Sequence, residues 1–100
     1  MNANANAILE TSARRLFPDL SLDQVFAELL LERARKNLIK YQTIARRFEI
    51  KYSRTFGAFR DQVLNSEPSM AIEQDYFDWE LAVTGIEDME QEIKRLSALS

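Results

Sequence analysis

Between Leu31 and Tyr52, apolar residues recur at Leu31, Ala34, Leu38, Tyr41, Ala45, Phe48 and Tyr52 in alternating steps of three and four. This seven-residue repeat lines one face of a helix and lets two helices lie along each other. Leu30 and Ile44 flank the seam. Only two glycines and two prolines in 100 residues argue against a turn-rich all-β fold. The chain reads as all-α.

The helix carrying the seam has a sharp start. Pro18 stops a preceding stripe of Leu9, Ala13, Leu16 and Phe17 within residues 7–17. Ser21 with Gln24 then fits a capping box, Leu20 with Val25 fits a hydrophobic staple, and Asp23 lies in the first turn. A helix from Leu22 to Tyr52 follows, roughly 46 Å long at 1.5 Å per residue. Leu22, Val25 and Leu29 form a second apolar patch behind the seam, which the first helix is expected to cover with Leu9, Leu16 and Phe17. Residues 1–6 alternate Asn and Ala and are expected to fray or be disordered, leaving one domain over residues 7–100.

Past Tyr52 the helical phase breaks. Phe56, Phe59, Val63 and Leu64 predict a helix of three turns or fewer, and Pro68 with its neighbouring serines marks a new start. The last helix runs from Met70 to Ala98. Its seam is Ile72, Trp79, Ala82, Val83, Ile86, Met89, Ile93 and Leu96, with Gly85 in mid-helix. Two long helices joined by a short one predict an antiparallel hairpin. A rod of that length leaves seam surface uncovered, so a dimeric four-helix bundle is the expected assembly.

Charge divides between the rods. Residues 21–54 hold eight Lys/Arg against four Asp/Glu, and residues 66–100 hold nine Asp/Glu against two Lys/Arg. Opposite signs favour antiparallel pairing, though each exposed pair contributes only about 0–1 kcal/mol.

The absence of cysteine and histidine removes disulfides, zinc–thiolate sites and the commonest general base and metal ligand. No cofactor motif occurs. Residues 1–7 carry no basic leader, and the apolar run 25–31 is far too short to cross a bilayer, so a cytoplasmic protein without a membrane segment is expected.

Three functional readings remain. Phe77 and Leu81 point away from the last helix's seam. Covered by the short helix they are core, the reading slightly favoured here. Exposed, they anchor a partner-binding patch of Asp75, Tyr76, Phe77, Asp78, Trp79, Glu80 and Leu81, aromatic at its centre and acidic at its rim. Arg33, Lys36, Lys40, Arg47, Lys51 and Arg54 form a basic stripe facing away from the first seam, a candidate track for nucleic-acid phosphates. A pI near 5.0 and the lack of aromatics in the stripe weigh against it. The acids Glu73, Asp75, Asp78 and Glu80 raise a carboxylate hydrolase as a third reading, weakened by the missing histidine.

The segments LLLERARKNLIKYQTIARRFEIKYSRTFGAF and EQDYFDWELAVTGIEDMEQEIKRL carry a further signal. The first ends in Arg46/Arg47, Phe48, Lys51 and Tyr52; the second opens on Asp75, Phe77, Asp78 and Trp79. Over residues 22–98 the chain resembles a widespread group of small, mostly uncharacterised helical prokaryotic proteins, often regarded as antitoxin-like partners of a small toxin encoded alongside. The resemblance implies a non-enzymatic protein with a protein partner. This chain has Ser53 where such sequences often have Gly after the Lys-Tyr pair.

Overall fold

A computed structural model describes residues 3–99. Four helices follow one another: α1 (Ala3–Leu16), α2 (Leu22–Tyr52), α3 (Phe56–Leu64) and α4 (Met70–Ser97). No strand occurs among the described residues, and the fold is all-α. α1 begins at Ala3, four residues ahead of its expected start, while Met1 and Asn2 lie outside the described residues.

Local chemistry sets the boundaries. Ser21 Oγ accepts from the Gln24 backbone N–H at 3.2 Å, and the Gln24 side chain accepts from the Ser21 N–H at 2.8 Å, completing the capping box. Thr55 and Ser69 cap α3 and α4, each accepting from a backbone N–H three residues on at 3.2 Å. α2 ends on Ser53, which is left-handed at φ 50° and ψ 41°. That is the conformation glycine adopts at helix C-termini without a Cβ clash. Ser53→Gly is accordingly expected to raise stability by about 0.5 kcal/mol, and Ser53→Val to lower it by more than about 1 kcal/mol. A urea-denaturation series in which glycine and valine have equal midpoints would contradict this.

α2 and α4 pack lengthwise as a hairpin closed by α3. Leu31, Ala34 and Ala45 are buried, and Leu38, Tyr41, Phe48 and Tyr52 are half-buried, so the predicted seam is the inner face. The molecule measures 58 × 26 × 18 Å with a radius of gyration of 19.8 Å, against about 13 Å for a compact chain of this length.

At the closed end, Ala45, Phe59, Val63, Trp79 and Ala82 form the buried core cluster, with Phe48, Tyr52, Phe56 and Tyr76 packed against it. At the open end, α1 covers less than predicted. Val25 is buried, but Leu22, Leu29, Leu9 and Leu16 stay exposed, and no residue of α1 is fully buried. The N-terminal half of α1, rich in Ala and Asn, offers little apolar surface with which to grip α2.

Gly85 is neither a surface glycine nor a backbone-to-backbone contact. It is buried opposite Tyr41, and a Cβ built on it would lie 2.7–2.8 Å from three atoms of that ring. The glycine is the notch that lets the Tyr41 ring lie between the helices.

Candidate partner-binding face

The N-terminal half of α4 separates two groups of side chains by angle alone. At 100° per residue, Tyr76, Trp79, Ala82, Val83 and Ile86 face inward, while Met70, Phe77 and Leu81 fall on one outward line. Trp79 is 1% exposed and sits in an aromatic cage. Its ring stacks on Phe48 at 5.7 Å, tilts against Phe59 at 5.1 Å and meets the edge of Phe56 at 5.4 Å between centroids. It therefore anchors the core and does not contribute to a surface patch, which corrects its expected place among partner-contacting residues. Its angle already places it with the seam residues Ala82, Val83 and Ile86 and away from Phe77.

α3 also leaves Phe77 and Leu81 uncovered, contrary to the favoured expectation. They are 50% and 67% exposed, and Met70 is 88% exposed. The reason lies in α3, whose two buried residues, Phe59 and Val63, both belong to the core that contains Trp79. With its nine residues committed inward, α3 has no second face to offer the outer side of α4. Phe77 touches only the edge of Tyr76 among the rings, at 5.6 Å.

Acids rim this stripe. Residues 70–88 hold Glu73, Asp75, Asp78, Glu80, Glu87 and Asp88 and no Lys or Arg. Two of them brace neighbours on the same helix: Asp78 accepts from Gln74 Nε2 at 3.0 Å, and Glu80 accepts from the Tyr76 hydroxyl at 3.0 Å. The Glu80 hydrogen bond is the leading reason the Tyr76 hydroxyl titrates above its ordinary value.

Asp75 is the exception and turns toward α2. It accepts from Lys51 Nζ at 2.6 Å and from the Tyr52 hydroxyl at 2.5 Å, and Lys51 also lies 5.4 Å from the Tyr52 ring centroid. Lys51 thus does not face away from the seam with the rest of the basic stripe. A seven-residue repeat drifts by about 20° per heptad around a straight helix. Over the length of α2 this brings the cation end of the stripe round toward α4. The Lys51 and Tyr52 hydrogen bonds lower the Asp75 pKa below 3.8, in that order of importance. The Asp75 hydrogen bond is the largest cause raising Lys51 above 10.5, while burial and then Asp75 raise Tyr52 above 10.0.

These shifts define a pH window. Asp75 favours the folded state above about pH 4 and loses that contribution as pH falls through its lowered value. Lys51 and Tyr52 contribute fully below their ordinary values and cease to contribute as pH rises through the raised ones. Thermal midpoints should therefore be level across neutral pH and fall at both ends, and Asp75→Asn should lower the plateau and shrink both falls. A variant whose pH profile overlays the wild type's would show that the triangle holds nothing together.

In the remaining stripe, Lys36 pairs with Glu32 at 3.3 Å and Arg54 donates to Gln62 of α3. Arg33, Lys40 and Arg47 are exposed and form no ion pair among the described residues. The acids do not converge into a metal-binding cluster of three or more ligands among the described residues. Asp75 is engaged by Lys51 and Tyr52, and Asp78 accepts from Gln74.

The residue pattern puts Asp75 and Lys51 in two separate sites and predicts neither their joining with Tyr52 nor the Tyr41–Gly85 contact. Gly85 itself was the available signal: a glycine beside the seam of a long helix leaves room for a large side chain of the facing helix. No described protein family, curated protein or solved structure matches this chain.

Proposed function

We propose that this chain is a non-enzymatic interaction protein whose outer α4 face seats a protein partner. The supporting observation is the stripe of Met70, Phe77 and Leu81, exposed while Trp79 and Phe59 are buried in the core. Exposed large apolar side chains with a charged rim are the composition of an interaction patch. The charged residues that α4 itself sets around the stripe are all acids, so the complementary partner surface is basic around an apolar centre. The antitoxin-like role implied by the resemblance is the specific form of this reading, with a small toxin encoded alongside as the partner.

Phe77→Ala combined with Leu81→Ala should weaken the partner complex by roughly 30-fold or more, as loss of a central anchor does. Both side chains are half exposed or more, so helical circular dichroism should stay unchanged. Titration calorimetry with the neighbouring gene's product measures the effect. Equal affinity for the double variant and the wild type would sink the reading.

Nucleic-acid binding through Arg33, Lys36, Lys40, Arg47, Lys51 and Arg54 has less support. Half of these cations already have partners within the chain.

A further inference from the structure

The outer side of α2 matches the outer side of α4 in layout and opposes it in charge. Ile39 and Ile50 are 63% and 70% exposed. Eleven residues apart, they fall within about 20° of each other on the side of α2 turned away from α4. Arg35 and Arg46 flank that line on one side, Lys36 and Arg47 on the other, all exposed. Arg35, Arg46 and Arg47 form no ion pair among the described residues. The apolar line of α4, from Met70 to Leu81, also spans eleven residues, so both lines run about 17 Å. Its exposed flanking charges are Glu73 and Glu80 on one side and Asp78 on the other. None of these three pairs with a cation among the described residues. The two lines also share one level of the rod. Tyr52 meets Asp75 and Tyr41 meets Gly85, which sets Ile50 level with Phe77, and Arg47 level with Glu80, on opposite sides of the hairpin.

The geometry points to the outer α4 face of a second copy of this chain as the occupant of the outer α2 face. Charge selects it. Cations around one apolar line meet acids around another of the same length, and neither set is neutralised across the hairpin. A copy laid alongside brings its Phe77 to Ile50 and its Glu80 to Arg47. A two-fold contact of either face with itself would instead set like charges together. Because the matching faces lie on opposite sides of the molecule, the contact is heterologous and does not close. Each added copy presents both faces again, and the row grows. The contact uses the α4 face assigned above to a foreign partner, and so rests on reading that face as a docking surface. Copy and partner exclude one another there.

Sedimentation equilibrium of the full chain at low salt should give a mean mass that climbs past twice the monomer's 11.6 kDa as concentration rises. High salt should return it toward the monomer. A mass fixed at 11.6 kDa at low salt overturns the inference and leaves the basic face to a different anionic partner. A mass that stops at twice that value overturns it in favour of a closed pair. Arg47→Glu with Ile50→Asp, and Phe77→Lys with Leu81→Lys, should each be monomeric yet form one-to-one pairs when mixed, because each variant keeps the face that the other lacks. Variants that stay monomeric in the mixture overturn the contact. Should either lose its helicity, Ile50→Cys and Phe77→Cys in separate chains decide, because the natural chain has no cysteine. On oxidation, links between the two kinds should outnumber links within a kind, and a statistical ratio overturns the contact. The Arg47/Ile50 variant keeps its α4 face, so it should bind the neighbouring gene's product at least as tightly as the wild type. Failure to bind there counts against the foreign partner and leaves the self-contact standing.

Discussion

Trp79→Ala is expected to destabilise the chain by about 3–5 kcal/mol, the range for deleting a large buried aromatic. Four rings surround this side chain, from two elements: Phe48 and Tyr52 of α2, Phe56 and Phe59 of α3. Removing it leaves a cavity that the two long helices cannot close, because Phe48 and Tyr52 are held by the hairpin's register. α3 suffers most. At nine residues it is too short to persist without packing, since isolated helices below about 12–15 residues are marginal in water. With total stabilities of about 5–15 kcal/mol for such domains, the loss is a large fraction of the whole. Urea denaturation followed by circular dichroism measures it. Amide exchange should show α3 losing protection before α1's neighbour, the N-terminal half of α2. A loss below about 1 kcal/mol would mean that the aromatic cage is not what holds the closed end.

Gly85→Ala sets two effects of opposite sign against each other. Alanine is favoured over glycine in a helix interior by about 1 kcal/mol. The added Cβ, however, would stand 2.7–2.8 Å from three atoms of the Tyr41 ring, where ordinary carbon contacts are about 3.5–4.0 Å. Those atoms belong to the base and sides of a ring wedged in the helix interface, so the helices must part or the ring must leave. Overpacking of this kind costs about 1–3 kcal/mol, and with a clash against three atoms the upper half of that range applies. The net expectation is a loss of about 1–2 kcal/mol. The double-mutant cycle is sharper than the single value. In a Tyr41→Ala background the clash is absent, and Gly85→Ala should become stabilising by about 1 kcal/mol. A substitution with the same sign in both backgrounds would show that the ring and the glycine are not coupled.

Both expectations concern residues that the linear pattern treats alike. Trp79 and Phe77 are aromatic neighbours on one helix, and the heptad assigns Trp79 to the seam and Phe77 to the outside correctly. What the pattern leaves open is whether the outside of α4 meets α3. That depends on which face a nine-residue helix turns inward, and its phenylalanines at 56 and 59 face the tryptophan. The candidate face was legible as Phe77, Leu81 and their acidic neighbours. Its membership was not, because Trp79 and Asp75 turn inward to other elements.

Apart from the start of α1, the sequence by itself determined where helices start and stop and which stripe of each is apolar. Ser21 with Gln24, Pro18, Thr55 and Ser69 act on backbone groups within four residues, so their effect needs no fold. Only the tertiary structure decided what those stripes meet. The hand of the seam's drift carries Lys51 to Asp75, the crossing of α2 and α4 places Tyr41 over Gly85, and the docking of α3 leaves Phe77 exposed. Each of these depends on the rotation of one helix against another, which is set by the packing of the whole chain and by no local run of residues.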